Sequence, residues 1–122
     1  MIEVENIAVN LSDFCLRDIS FAVGHREIFA LLGPTGSGKS VILEAMMGLI
    51  PLRSGNIRIA GSVVSSLPPE SRNLGLVYQD QALFPHMSVQ ENILYGVKYH
   101  NIPDNTRKRR FDMLVENLRL KY

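Results

Sequence analysis

The chain has 122 residues, 46% of them hydrophobic, enough for about one small domain with a core. Its formal net charge of +1 argues neither for nor against a nucleic-acid partner, and none is expected. No stretch approaches the ~18 apolar residues of a membrane-spanning helix, so the polypeptide is expected to be soluble, or attached to a membrane only through a partner.

The opening MIEVENIAVN lacks the basic-then-apolar order of a secretory signal. Ile2 and Val4, then Ile7 and Val9, alternate with polar residues, as do Ile19, Phe21 and Val23. This period of two predicts antiparallel strands with one wet face, with Leu11-Ser12-Asp13 as the turn between them. Cys15 is the single cysteine and cannot close an internal disulfide, which fits a reducing compartment. Between Phe14 and Leu16 it reads as a buried strand thiol.

Residues Ile28 to Leu32, IFALL, suit a strand buried on both faces. Gly33 to Ser40 then read GPTGSGKS, which fits the phosphate-binding pattern G-x-x-x-x-G-K-[ST]. Gly33, Gly36 and Gly38 let the backbone curl with its N–H groups toward an anion, and the N-terminus of the next helix adds to that field. Lys39 is expected to reach the β- and γ-phosphates and Ser40 to place its hydroxyl on Mg²⁺. Pro34, Thr35 and Ser37 complete the octet.

Val41, Ile42, Ala45, Met46 and Leu49 recur at helical spacing, with Gly48 and Pro51 as stop signals. Ser54-Gly55-Asn56 reads as a turn into a strand over Ile57 to Ala60, closed by Gly61. Ser65 to Asn73 is a polar loop or helical turn around Pro68-Pro69-Glu70. Leu74 to Tyr78, LGLVY, is a second doubly buried strand, ending at Gln79-Asp80. Ser88-Val89-Gln90-Glu91 is a capping box opening a helix with Val89, Ile93 and Val97 on one face. A last helix begins near Asp104, with Phe111, Leu114, Val115 and Leu118 as its apolar stripe. The run Arg107-Lys108-Arg109-Arg110 reads as a solvated face of that helix, with a phosphate or anionic-lipid role as the alternative.

The stretch LGLVYQDQALFPHMSVQENILYG, its distance from GPTGSGKS and the intervening PLRSGNIRIAG resemble the Q-loop region of ATP-binding-cassette (ABC) ATPases. The resemblance runs from Met1 to about Leu120. GPTGSGKSVILE and LPPESRNLGLVYQDQALFPHMSV are most similar to the ATPase subunits of molybdate/tungstate importers; other oxyanion, sugar and polyamine importers compete.

The resemblance implies an α/β fold: a P-loop NTPase core of the ABC type with an antiparallel β subdomain, present as its N-terminal half. Residues 1–27 would be mostly antiparallel β and 28–80 the P-loop core. Residues 81–122 would hold the Q-loop segment and the start of a helical subdomain. Gly33, Pro34, Thr35, Gly36, Ser37, Gly38, Lys39 and Ser40 match the Walker A loop, implying ATP and Mg²⁺ as cofactors. Lys39 and Gln79 are the implied catalytic residues, and Ser40 and Gln79 the implied metal contacts. Gln79 also matches the glutamine that links the catalytic core to the helical subdomain. Ala82 to His86 match the segment that faces a coupling helix of the transmembrane permease subunits. A second ATPase subunit would complete a homodimer, peripheral on the cytoplasmic face of the cell membrane.

Several residues depart from the family pattern. The adenine-stacking aromatic of the first hairpin falls at Leu11-Ser12, with Phe14 the nearest aromatic and readable as core. Arg26 stands where glycine is usual. No LSGGQ-like signature, no apolar run ending in Asp-Glu and no downstream switch histidine occur within these residues. Asp80 directly follows Gln79, which argues against a Walker B aspartate, and His86 is read as a surface loop residue. The 122 residues alone are therefore expected to bind nucleotide weakly, to hydrolyse it hardly at all, and to leave apolar stripes unpartnered. A small kinase or GTPase would need a further Asp or an Asn-Lys-x-Asp segment, which the chain lacks. A non-catalytic P-loop interaction module remains the reading from another class.

Overall fold

A computed structural model describes residues 1–80, 83–100 and 102–120. They form two compact units, Met1–Val77 and Tyr78–Tyr122. No described helix is long and apolar enough to cross a membrane.

The first unit is built on a hairpin of β1 (Ile2–Leu11) and β2 (Phe14–Val23), turned at Ser12-Asp13. β3 (Ser54–Ile59) pairs antiparallel with the other edge of β1, and β4 (Ser62–Val63) adds to β3, giving the order β2-β1-β3-β4. Val4 and Ile7 are three apart, so strict alternation would send them to opposite faces. A bulge at Asn6 (φ 47°) shifts the register between them, and both join one core cluster. Gly55 faces that bulge. A Cβ there would lie 2.4 Å from the Asn6 carbonyl oxygen, and its φ is +87°, so only glycine fits. Ser54-Gly55-Asn56, expected as a turn, is thus the first half of β3, paired with β1 across this close approach.

Helix α1 (Lys39–Met47) starts after Gly38, whose φ of 93° breaks the incoming backbone. Ile42, Ala45 and Met46 are buried, and Ile42 and Met46 meet Val4, Ile7, Ile57 and Val64 in the core. The helix ends in a Schellman arrangement at Gly48 (φ 82°). The Gly48 N–H donates to the Ala45 carbonyl at 3.1 Å and the Leu49 N–H to the Glu44 carbonyl at 2.9 Å.

Cys15 is exposed, contrary to expectation. The alternation that turns Phe14 and Leu16 inward turns the residue between them outward. Its thiol donates to Asn10 Oδ1 at 2.9 Å and accepts from Arg17 Nε at 3.2 Å.

The two runs expected as doubly buried strands, 28–32 and 74–78, are not strands. A strand exists by pairing, and the described sheet pairs β1 to β4 only. Leu31 and Leu74 pack on the core, and Phe29 stacks on Phe21 at 5.1 Å. Ile28, Leu32 and Val77 remain 98%, 88% and 95% exposed.

In the second unit α2 (Val89–Leu94) opens at the expected capping box. The Glu91 N–H donates to Ser88 Oγ at 3.3 Å and the Ser88 N–H to Glu91 Oε2 at 2.8 Å. A 3₁₀ turn, Tyr95–Tyr99, follows, and then α3 (Asp104–Asn117). Phe111 is buried, Val115 half-buried, and Leu114 and Leu118 exposed. Arg107 pairs with Asp104 at 2.8 Å, and Lys108, Arg109 and Arg110 are exposed.

Candidate nucleotide site

Residues 33–40 form a tight loop running into the first turn of α1. Gly36 (φ 81°) and Gly38 (φ 93°) take left-handed conformations that side chains with a Cβ rarely adopt. The Ser37 N–H donates to the Pro34 carbonyl at 3.2 Å, and Gly38 accepts the first α1 bond from the Ile42 N–H at 3.0 Å. Gly38 is also tight against β2: an added Cβ would lie 2.8 Å from Phe14 Cζ and 2.9 Å from Leu16 Cδ2. Phe14, read from sequence as core, is half-buried against the loop.

The Lys39 ammonium folds back over the loop. It donates to the Gly33 carbonyl at 2.8 Å, the Pro34 carbonyl at 2.7 Å and Ser37 Oγ at 3.3 Å. Lys39 makes no ion pair with any described carboxylate. This half-buried cation therefore stands at a helix N-terminus, where first-turn N–H groups have no intrahelical acceptor. Both features favour an anion. Ser40 is exposed in that first turn. A loop of left-handed glycines, one cation and one hydroxyl suits a phosphate chain carrying a hard divalent cation.

Two further contacts hold this unit together and were not legible as motifs. Arg72 is buried and gives all its bonds to backbone carbonyls at the end of α1 and in the 65–67 loop. Burial lowers its pKa, and those carbonyls favour the charged guanidinium. In the turn before the loop, Arg26 (φ 58°) takes the left-handed place where glycine was expected, and Glu27 accepts from the Gly24 N–H.

Gly33 to Ser40 thus gather in one loop, whereas Gln79 and Asp80 are exposed at the start of the second unit. Of the 82–86 segment, Ala82 lies outside the described residues. Leu83 is 65% exposed. Phe84 is half-buried against Tyr95, ring centroids 4.3 Å apart, with His86 edge-on at 6.1 Å. The backbone of this segment is tied to α2 by the Asn92 side chain. The signal available for that residue was a polar amide inside a helix, four positions after the cap.

A profile described as ABC transporter matches residues 16–122. The molybdate/tungstate import ATP-binding protein WtpC of Pyrococcus horikoshii is 43% identical over 118 residues, 97% of this chain and 34% of that protein. The sulfate/thiosulfate import ATP-binding protein CysA of Nocardia farcinica is 39% identical over 116 residues, 94% of this chain and 35% of that protein. Relatives named for spermidine/putrescine and for sn-glycerol-3-phosphate import match as well. A solved ATP-binding subunit of an ABC transporter superimposes with a TM-score of 0.87 at 24% identity, covering 98% of this chain and 51% of that one. The chain spans about a third of the length of these curated relatives. The fold is that of the N-terminal half of an ABC ATPase cassette, and the chain belongs to the ABC transporter family.

Proposed function

We propose that residues 33–40 bind MgATP and that the chain is the nucleotide-binding part of an ABC importer ATPase. The observation that carries this reading is the Lys39 ammonium at the N-terminus of α1, held on the Gly33 and Pro34 carbonyls and paired with no described carboxylate. Lys39 would exchange those neutral acceptors for phosphate oxygens. Ser40 would hold Mg²⁺, which when bound neutralises charge on the transferring phosphoryl group. Gln79 is assigned the metal and attacking-water region and the link to the helical subdomain. Residues 1–27 are assigned to the antiparallel part, 28–80 to the P-loop core and 81–122 to the Q-loop segment and helical subdomain.

The proposed cargo is an oxyanion, molybdate or tungstate. The supports are the LPPESRNLGLVYQDQALFPHMSV run and two relatives named for oxyanion import. The permease partner is assigned to the 82–86 segment, with a second ATPase subunit completing a dimer on the cytoplasmic membrane face.

Calorimetric titration with MgATP tests the reading. Lys39→Ala should bind about 10-fold or more weakly, since a charge-assisted hydrogen bond contributes roughly 1.5–3 kcal/mol. Equal affinities would remove Lys39, and with it the site. Stimulation of the reconstituted full-length transporter by molybdate, against sulfate, decides the cargo.

A further inference from the structure

We infer that Asn92 is the positioning residue that holds the Leu83–Ser88 segment in shape for its partner. This rests on the reading of that segment as the permease contact.

Asparagine is a poor residue inside a helix, because its amide competes for backbone groups. Here that competition is put to use. Asn92 Oδ1 accepts from the Phe84 N–H at 2.9 Å. Asn92 Nδ2 donates to the carbonyls of Phe84 at 3.1 Å, Met87 at 3.1 Å and Ser88 at 3.0 Å. One side chain thus grips both backbone groups of Phe84 and the end of the loop. Within the loop, a backbone–backbone bond joins the Met87 N–H to the Phe84 carbonyl at 3.1 Å.

The grip divides the segment's roles. Phe84 turns its ring onto Tyr95 and serves as the foot of the loop. Leu83, its neighbour in the chain, is left exposed. A loop ordered beforehand loses less freedom on docking. Asn92 therefore strengthens the complex without touching the partner, and Leu83, rather than Phe84, supplies the apolar contact.

Hydrogen exchange on the full chain reads this directly. In Asn92→Ala the Phe84 amide should exchange at least about tenfold faster, since its acceptor is gone. Gln90→Ala, an exposed change on the same helix, should leave that amide unchanged. Asn92→Asp keeps an acceptor for the Phe84 N–H but sets a carboxylate against three carbonyls. Protonation restores a donor, so protection at Phe84 should return as pH falls. A role confined to helix stability would give no such pH profile. Binding to a molybdate/tungstate permease in nanodiscs should weaken by about tenfold in Asn92→Ala, or 1.4 kcal/mol. If the unaltered chain ignores the permease, the docking reading falls while the exchange result still decides the role of Asn92. Wild-type exchange at Phe84 in Asn92→Ala, or equal acceleration throughout α3, would overturn the inference.

Discussion

Arg72 Nη1 donates to the carbonyl oxygen of Ala45 at 3.0 Å, joining residues 27 apart in sequence. The same nitrogen reaches the Met46 carbonyl at 3.0 Å, Nε the Leu67 carbonyl at 2.9 Å and Nη2 the Ser65 carbonyl at 2.9 Å. The guanidinium lies where the helix dipole of α1 is negative and carbonyls lack partners. It also seals Gly48, where an added Cβ would lie 2.6 Å from Nε.

Arg72→Ala should therefore destabilise the first unit by about 3 kcal/mol, because four backbone carbonyls, those of Ala45 and Met46 buried and those of Ser65 and Leu67 partly so, lose their donor together. Arg72→Lys should recover part of this, since an ammonium lacks the planar fork that serves several acceptors at once. Urea unfolding of the three proteins measures both. A loss below about 1 kcal/mol in the alanine variant would mean that water replaces the guanidinium at little cost.

Gly38→Ala should weaken MgATP binding by about tenfold or more. Its φ of 93° strains any side chain, and the Cβ meets Phe14 and Leu16 below 3 Å. Adding Phe14→Ala removes the ring contact but not the backbone strain, so only part of the affinity should return. Full recovery in the double variant would show that crowding alone sets the requirement for glycine. Calorimetric titration separates the two outcomes.

Local chemistry was legible in the sequence. The hairpin, the P-loop turn, the capping box at Ser88 and the start of α3 each follow from residue type and spacing within a few positions. Contacts between distant residues were not. Nothing near Arg72 announces that its acceptors lie at the end of α1, and nothing near Gly55 announces the bulge at Asn6. Residues 28–32 and 74–78 show the limit of an apolar run. It reports that a segment suits burial, and pairing depends on what lies beside it. The apolar neighbours of Cys15 suggest burial, but the alternation of β2 that half-buries Phe14 and Leu16 turns it outward.

Arg26→Gly should stabilise the first unit by about 1 kcal/mol. The Glu27 N–H donates to the Gly24 carbonyl at 3.4 Å, closing a turn whose second central residue, Arg26, has φ 58°. Positive φ at that place is what a type II turn demands, and glycine meets it without Cβ strain. The gain is partly offset by the greater freedom of glycine in the unfolded chain. A thermal melt that falls or stays unchanged in the variant would show that the arginine side chain contributes more than its backbone strain costs.

The last prediction concerns Ile28, Leu32 and Val77, which are almost fully exposed although their segments are apolar. Large apolar side chains in open segments without strand pairing favour dye binding and self-association. The 122-residue chain should bind a hydrophobic dye and elute from gel filtration with concentration-dependent size. Ile28→Lys with Val77→Lys should reduce both effects. Stability should stay within about 0.5 kcal/mol, because substitutions of exposed residues away from structural features rarely do more. A variant that loses its cooperative melt would place these residues in a core. A dye-silent, monodisperse parent chain would show that the described residues cover their own apolar surface.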